Sequence, residues 1–163
     1  MSTLSLDTKR KKLISGFTLI EVLIVAAVLV IIAVAGSGFY TNYNKSIEID
    51  AVTQSLVFNL KQARSNSMIG VDGLKWGVHF VNSTADYYEI FSTPTDYSSA
   101  AKSITSKIYL SNGVTFSNPV SDATSDIIFN KISGNAPTSQ VGLVYLGNNK
   151  IINVSTIGNI SVQ

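Results

Sequence analysis

The N-terminal part of the chain is dominated by one long apolar stretch. Residues 17–40 are interrupted only by Thr18, Glu21 and the segment Gly36-Ser37-Gly38, and every residue from 22 to 35 is Val, Leu, Ile or Ala. As a helix, a stretch of this length measures about 36 Å, which exceeds the roughly 30 Å hydrocarbon core of a bilayer. The pattern predicts a transmembrane helix over residues 17–40.

A second periodicity follows the apolar stretch. Apolar or small residues recur every three or four positions, at Ile49, Val52, Leu56, Leu60, Ala63 and Ser67. This spacing is that of one helix face, with charged residues on the remaining surface. We predict an amphipathic helix over residues 41–70 that continues the first one. Its expected end is near Ile69, followed by Gly70 and a turn at Asp72-Gly73.

After Leu74 the pattern changes to short runs with a two-residue period, bounded by turn residues. The predicted strands are residues 75–81, 87–91, 104–110, 114–117, 126–130, 141–146, 150–155 and 159–162. Asn112-Gly113, Gly147-Asn148-Asn149 and Ile157-Gly158 are typical of antiparallel hairpin turns. The predicted fold class is α+β, with a long N-terminal helix packed on an antiparallel sheet domain, residues 71–163. The amphipathic helix is expected to cover one face of that sheet, and the other face is expected to be exposed to solvent.

Charge is distributed unevenly along the chain. Lys and Arg number 12 against 10 Asp and Glu, a net charge of +2, but residues 9–12 are the basic run Lys-Arg-Lys-Lys. Basic residues beside a membrane span stay in the cytoplasm, so the C-terminal domain is predicted outside it. From residue 17 onward eight basic residues stand against nine acidic ones, and the lysines of the outer domain are scattered singly. Nucleic acid is therefore not an expected partner, because binding its backbone needs clustered cations.

The chain offers little for catalysis. It has no cysteine and one histidine, which excludes disulfides, thiolate metal sites and the usual nucleophile triads. His79 alternates with Trp76, Val78 and Phe80 and is expected on the solvent side of its strand. The outer carboxylates lack an EF-hand spacing and are expected to be solvated. They are Asp86, Glu89, Asp96, Asp122 and Asp126. We expect no cofactor, no metal and no enzymatic activity.

Glu21 stands out because a carboxylate inside a membrane helix is unfavourable unless it has a partner. One interpretation is a side chain that snorkels to the lipid headgroups from near the helix end. For the whole segment, a secretory signal peptide cleaved near Ala33-Val34-Ala35 is a rival. The length of the apolar run, and the position of Gly16 before it rather than after it, argue against that rival.

Gly16-Phe17-Thr18-Leu19-Ile20-Glu21, after a short basic leader and before a long apolar helix, resembles the processing site of type IV prepilins and type II secretion pseudopilins. The resemblance implies that residues 1–16 are a leader, which a prepilin peptidase removes after Gly16, and that the new amine of Phe17 is methylated. It also implies that Glu21 guides docking into a filament, by pairing with the amine of a neighbouring subunit. A glycine suits such a cleavage site because no side chain obstructs the peptide bond.

The same resemblance implies a set of partners and a location. The partners are the prepilin peptidase, other pilins or pseudopilins, an inner-membrane assembly platform and, before assembly, membrane lipid. The location is the bacterial inner membrane, crossed once with the C-terminal domain outside the cytoplasm, and then a filament. A bend of the helix near Gly36 and Gly38 is not expected, because glycine weakens a helix without forcing a kink.

Within that superfamily, the outer domain resembles the GspH/FimT class of minor pilins and pseudopilins. The resemblance lies in Leu60, Ala63-Arg64, the Trp76-Gly77-Val78 strand and the closing segment 152–160. Two alternatives stay open: a DNA-uptake or adhesive minor pilin, and a membrane-anchored extracytoplasmic binding domain that does not polymerise. For the second, residues 92–103 form the longest segment without a strand pattern, where a partner contact is easiest to add. Tyr97 in this segment is expected to pack the loop down.

Overall fold

The computed structural model describes residues 16–111 and 113–163, with the side chains of residues 36–45 outside that description. The chain divides into two compact units, residues 1–40 and 41–163, which we describe separately. Of the predicted leader, residues 1–15 lie outside the described residues, as does Asn112 of the predicted Asn112-Gly113 turn.

The first element is helix α1, Leu19–Ile69. It ends where the sequence predicts, because Gly70 adopts the left-handed conformation with φ of 77°. The amide of Gly70 donates to the carbonyl oxygens of Asn66 at 3.0 Å and Ser67 at 3.2 Å, which satisfies two carbonyls of the last turn. A single 3₁₀ turn, Val71–Gly73, then leads into the first strand.

Within residues 46–69, the predicted face of α1 is the buried one. Ile49, Leu56, Leu60, Ala63 and Ser67 are buried, and Val52 is half-buried. Two polar side chains share this face because each has a hydrogen-bond partner. Thr53 donates its hydroxyl to the carbonyl oxygen of Ile49 at 2.6 Å, and the Asn59 amide donates to the Tyr88 hydroxyl at 2.8 Å. The second of these contacts ties the helix to the sheet.

Eight strands follow, each within two residues of its predicted bounds. They are β1 (Lys75–Val81), β2 (Tyr87–Thr93), β3 (Ser103–Tyr109), β4 (Thr115–Asn118), β5 (Thr124–Phe129), β6 (Ser139–Tyr145), β7 (Asn148–Val154) and β8 (Ile160–Val162). All pairings are antiparallel. The predicted α+β, pilin-like architecture is therefore confirmed.

The prediction of a single sheet is wrong, because the strands form two four-stranded sheets. The first has the order β3-β2-β1-β5 and the second the order β4-β6-β7-β8. Since β3 and β4 lie in different sheets, the sequence around Gly113 is not a hairpin turn. The predicted hairpins β6-β7 and β7-β8 are present. Local turn signals identify neighbours in sequence, whereas β1 pairs with the distant β5.

One hydrophobic core joins both sheets and the helix. From the helix it contains Leu56, Leu60 and Ala63, from the first sheet Val78, Phe80, Ile127 and Phe129, and from the second Phe116, Val141, Leu143 and Ile152. The ring of Phe80 meets that of Phe116 edge-on, with centroids 5.8 Å apart, which is a direct contact between the sheets. Both sheets are therefore needed to cover the buried stripe of α1.

Candidate processing and assembly site

The start of α1 lies immediately beside the predicted cleavage site. Residues 16–18 are not helical, and the helix begins at Leu19. The hydroxyl of Thr18 accepts a hydrogen bond from the amide of Glu21 at 3.3 Å, so Thr18 caps the helix. The predicted scissile bond, between Gly16 and Phe17, therefore precedes the helix and its cap.

Among the described residues, none gives Gly16 a steric reason to be glycine. A Cβ placed on it would meet no described atom within 4 Å, and its φ lies outside the left-handed region. Gly158 differs in both respects, because its φ is 74° and a Cβ there would run into the carbonyl oxygen of Gly134 and into the Arg64 side chain. The fold therefore requires the glycine at 158, whereas the described structure leaves position 16 free to vary.

Phe17 and Glu21 lie together at the helix start. Phe17 is 83% exposed, and with Glu21, Val22 and Val25 it lines one shallow groove. Glu21 is exposed and makes no ion pair with any described residue. The structure thus places Phe17 and Glu21 on one surface, whereas Gly16 does not line this groove. The cation expected to pair with Glu21 is not among the described groups.

The large apolar side chains that the structure describes in the first unit are exposed. The large apolar side chains from Phe17 to Val34 are between 49% and 83% exposed. An exposed apolar surface of this extent is typical of a site that lipid or protein covers. In the part of the chain that the structure describes, no helix qualifies by length and hydropathy as a membrane span. The predicted span 17–40 extends beyond residue 35, where the description of side chains stops, and it stays a prediction.

His79 is buried, so its predicted position on a solvent-facing surface is wrong. Its side chain lies under Tyr97, whose ring stacks on the imidazole with centroids 3.6 Å apart and planes 6° apart. The Nδ1 atom of His79 is hydrogen-bonded to the Asp126 carboxylate on the neighbouring strand. The ring of Tyr97 also meets that of Phe91 edge-on at 4.9 Å. The prediction that Tyr97 packs its loop down is confirmed, and this packing is what covers His79.

Two of the predicted solvated carboxylates are also buried. Asp86 accepts hydrogen bonds from the amides of Ser83 and Phe116, both at 2.8 Å. Glu89 accepts the Tyr97 hydroxyl at 2.6 Å and pairs with Lys107 at 3.5 Å. Ser83 belongs to the same turn as Asp86, but Phe116, Tyr97 and Lys107 come from other strands or loops, so the local sequence does not reveal them.

The remaining three carboxylates are exposed, as predicted: Asp96, Asp122 and Asp126. A hydrogen bond from the Ser98 hydroxyl holds the pKa of Asp96 below its ordinary value. Burial, and then the hydrogen bond to Glu89, raise the pKa of the Tyr97 phenol, so it stays a hydrogen-bond donor at neutral pH. Among the described residues, no group of three potential ligands could hold a metal ion.

We expect Tyr97→Phe to destabilise the outer domain. The substitution keeps the ring stack but removes one hydrogen bond from the buried Glu89, at a cost of about 1–3 kcal/mol. Denaturant unfolding of the full chain in detergent, followed by the fluorescence of Trp76, measures the change. Tyr109→Phe is the control, since no hydrogen bond of the Tyr109 hydroxyl is found and the side chain is exposed. Equal unfolding midpoints for the two variants would contradict the prediction.

Two side chains were missed, or given no role, by sequence reasoning. Thr18 caps α1, and the spacing Thr-x-x-Glu is a known signal for a helix start. Arg64 enters the sequence analysis only as part of a resemblance. In the structure its Nε donates to the carbonyl oxygen of Gly134 at 3.3 Å, and its Nη2 donates to that of Ile157 at 3.0 Å. Arg64 therefore fastens a loop and the last turn of the second sheet to the helix.

Comparison with known proteins identifies the segment around this site. Residues 11–37 match the family model described as the prokaryotic N-terminal methylation motif, which is the prepilin-type motif of type IV pilins and pseudopilins. The match covers the predicted scissile bond and Glu21 and does not extend to the outer domain. Neither a curated protein nor a solved structure matches the chain.

Proposed function

We propose that the chain is a minor pilin or pseudopilin, a structural subunit of a type II secretion pseudopilus or a type IV pilus-like filament. A prepilin peptidase removes residues 1–16 and methylates the amine of Phe17, and the subunit then assembles through its N-terminal helix. The chain itself performs no catalysis in this proposal. Its location before assembly is the inner membrane, where the assembly platform receives it.

The observation that carries the proposal is the environment of Gly16. The methylation motif spans this residue, and no described atom lies near enough to demand a glycine there. A glycine that the fold does not need is explained by an external requirement, and a protease that must admit the peptide bond supplies one. The non-helical backbone at residues 16–18 supports this, because a helix would hold the scissile bond inside a hydrogen-bonded turn.

The role of Glu21 follows from the same processing step. Cleavage after Gly16 creates an amine at Phe17, four positions before Glu21 and in the same groove. In an apolar filament core, a carboxylate and an amine are each unfavourable alone, and pairing offsets much of the cost of removing both charges from water. The exposed, unpaired carboxylate in the described structure supports a pair with the amine of another subunit.

The proposal extends to the GspH/FimT class. The likeness rests on three segments of sequence, and two of them are the end of α1 with Arg64 and the closing segment 152–160. The hydrogen bond between Arg64 and the Ile157 carbonyl oxygen links these segments directly, at 3.0 Å. Residues that carry the likeness therefore contact one another, which supports a shared structural role.

Intact mass and N-terminal analysis of the protein from its native membrane test the proposal. We expect a chain that begins with N-methylated Phe17. A chain cleaved near Ala35 would indicate an exported domain, and a chain that keeps residues 1–16 would indicate a permanent anchor. Either of those results would contradict the proposed processing and remove the basis for the role of Glu21.

A further inference from the structure

The outer unit has two opposite ends that are marked by β1. At the start of β1, the amide of Trp76 donates to the Ser67 hydroxyl at 3.4 Å, near the end of α1. Just after β1, the amide of Asn82 donates to the carbonyl oxygen of Ala123 at 3.1 Å. Six residue steps, from Trp76 to Asn82, separate these contacts by about 20 Å. We name the first end the helix pole and the second the loop pole.

The helix pole carries an exposed aliphatic patch. Its side chains are between 43% and 81% exposed and belong to Met68, Ile69, Ile132 and Ile157. Three contacts bring them together: the Ile132 amide donates to the Ser67 carbonyl oxygen at 3.0 Å, and Arg64 binds the carbonyl oxygens of Gly134 and Ile157. Ile132, the most exposed of the four, has φ of 67°, which is strained for a β-branched residue. The fold thus holds an apolar side chain outward against its backbone preference.

The rim of this patch is positive. Lys61, Arg64 and Lys131 make no ion pair with any described residue. The Arg64 side chain donates hydrogen bonds to backbone carbonyl oxygens. The Lys131 amine donates to the carbonyl oxygen of Gly73 at 2.6 Å. Asp72 is also exposed near this pole, and it too is without an ion pair in the described structure. Lys75 at the start of β1 and Asp96, which interacts with it, also lie at this end, so the described charged groups number four cations and two carboxylates. The net positive charge makes the helix pole a site for an apolar group next to a negative charge.

The loop pole presents that combination. Val120 is 68% exposed, and Asp122, two residues later, is exposed and makes no ion pair with a described residue. The turn is closed by the amide of Ala123, which donates to the Val120 carbonyl oxygen at 3.1 Å, and Asp122 has φ of 60°. The Asn82 side chain holds the turn in place by donating to the carbonyl oxygen of Pro119 at 2.7 Å.

We propose that the loop pole of one copy binds the helix pole of a second copy. Val120 contacts the aliphatic patch, and Asp122 pairs with Lys61. Because the two surfaces differ and lie at opposite ends of the unit, the contact is heterologous and continues from copy to copy instead of closing on itself. The inference rests on the proposed function, since subunits of one orientation bring their opposite ends together when they are staggered along a filament.

Disulfide trapping tests this contact cleanly, because the natural chain contains no cysteine. The full-length double variant Ile69→Cys/Val120→Cys, oxidised in its native membrane, is expected to give a ladder of covalent multimers. Co-expression of the two single variants is expected to stop at dimers, and neither single variant alone is expected to crosslink. The control pair Ile104→Cys/Val120→Cys places its first cysteine at an exposed isoleucine on β3, the edge of the first sheet opposite to β5, which leads to Ile132 of the patch. No ladder is expected from this pair.

Charge exchange identifies the occupant. Asp122→Lys in the double-cysteine chain is expected to reduce the ladder about fivefold or more, and adding Lys61→Asp is expected to restore most of it. Loss of assembly with Lys61→Asp alone, together with no effect of Asp122→Lys, would assign the patch to anionic lipid or to a different protein and overturn the proposal. Dimers from the Ile69→Cys variant alone would also overturn it, because they indicate a symmetric contact.

The outcome can be separated from that of the proposed function. N-terminal mass analysis of the same samples shows whether the chain is processed at Phe17. If processed chains give no ladder, the pole-to-pole contact is wrong while the pilin-like function stands. If the chain keeps residues 1–16, the proposed function is contradicted, and the pole-to-pole contact loses its basis with it.

Discussion

Replacing Gly16 with aspartate is expected to leave residues 1–16 attached to the protein. The described structure offers open space at this position, so the substitution does not disturb the fold of the chain. The added side chain and charge act instead on the fit of the scissile bond to the peptidase, where misplacement of reacting atoms by about 1 Å costs roughly a hundredfold in rate. Intact mass of the chain, sampled over time after its synthesis, measures the loss.

Gly16→Ala is the matched control for this prediction. It adds one methyl group without charge in the same open space, so a slower but complete removal of the leader is expected. Gly158→Ala provides the opposite case, because it meets a crowded, left-handed position and is expected to lower stability while leaving cleavage unaffected. Normal leader removal in Gly16→Asp would contradict the assigned role of Gly16.

Replacing Glu21 with alanine is expected to leave processing largely intact and to reduce incorporation about a hundredfold or more. Removal of one partner from a buried ion pair leaves the other charge unpaired, which costs about 3–5 kcal/mol. In the proposed filament, the remaining charge is the amine of Phe17. Glu21→Gln is expected to behave like the alanine variant, since it keeps the shape of the side chain and removes its charge. The fraction of processed chain recovered in crosslinked multi-subunit species measures incorporation.

Two further variants serve as controls for the Glu21→Ala result. Glu21→Asp keeps the charge on a shorter side chain and is expected to retain part of the incorporation. Glu48→Ala removes a carboxylate of α1 that belongs to the outer unit, and it is expected to incorporate normally. Unchanged incorporation of Glu21→Ala would remove the assembly role of this residue.

The helix and the strands are predictable because each depends on a short period in the sequence. The buried face of α1 follows from residues three and four positions apart, and its end follows from Gly70 in the left-handed region. The prepilin-type motif is recognisable for a similar reason, since its residues lie within a short stretch of sequence, whereas the cleavage after Gly16 and the role of Glu21 stay predictions. Where the information is local, sequence and structure agree.

The failures concern contacts between distant segments. Alternation places His79 on the polar face of β1, but it does not show that Tyr97 of a later loop covers that face. Burial of Glu89 depends on the same tyrosine and on Lys107 of the next strand. The second sheet was missed because no local pattern shows that the chain leaves the first sheet after β3 and returns to it at β5.

That return of the chain also determines the order in which the outer domain can form during synthesis and export. β1 remains an unpaired edge until β5 emerges, and by then β4 has emerged without its partner β6. Contacts between segments that are far apart in the sequence form late. Strand edges that are still unpaired at that stage are prone to aggregate. Folding of the outer domain is therefore delayed until almost the whole chain is available, and a chain interrupted before residue 139 has no β6 to begin the second sheet.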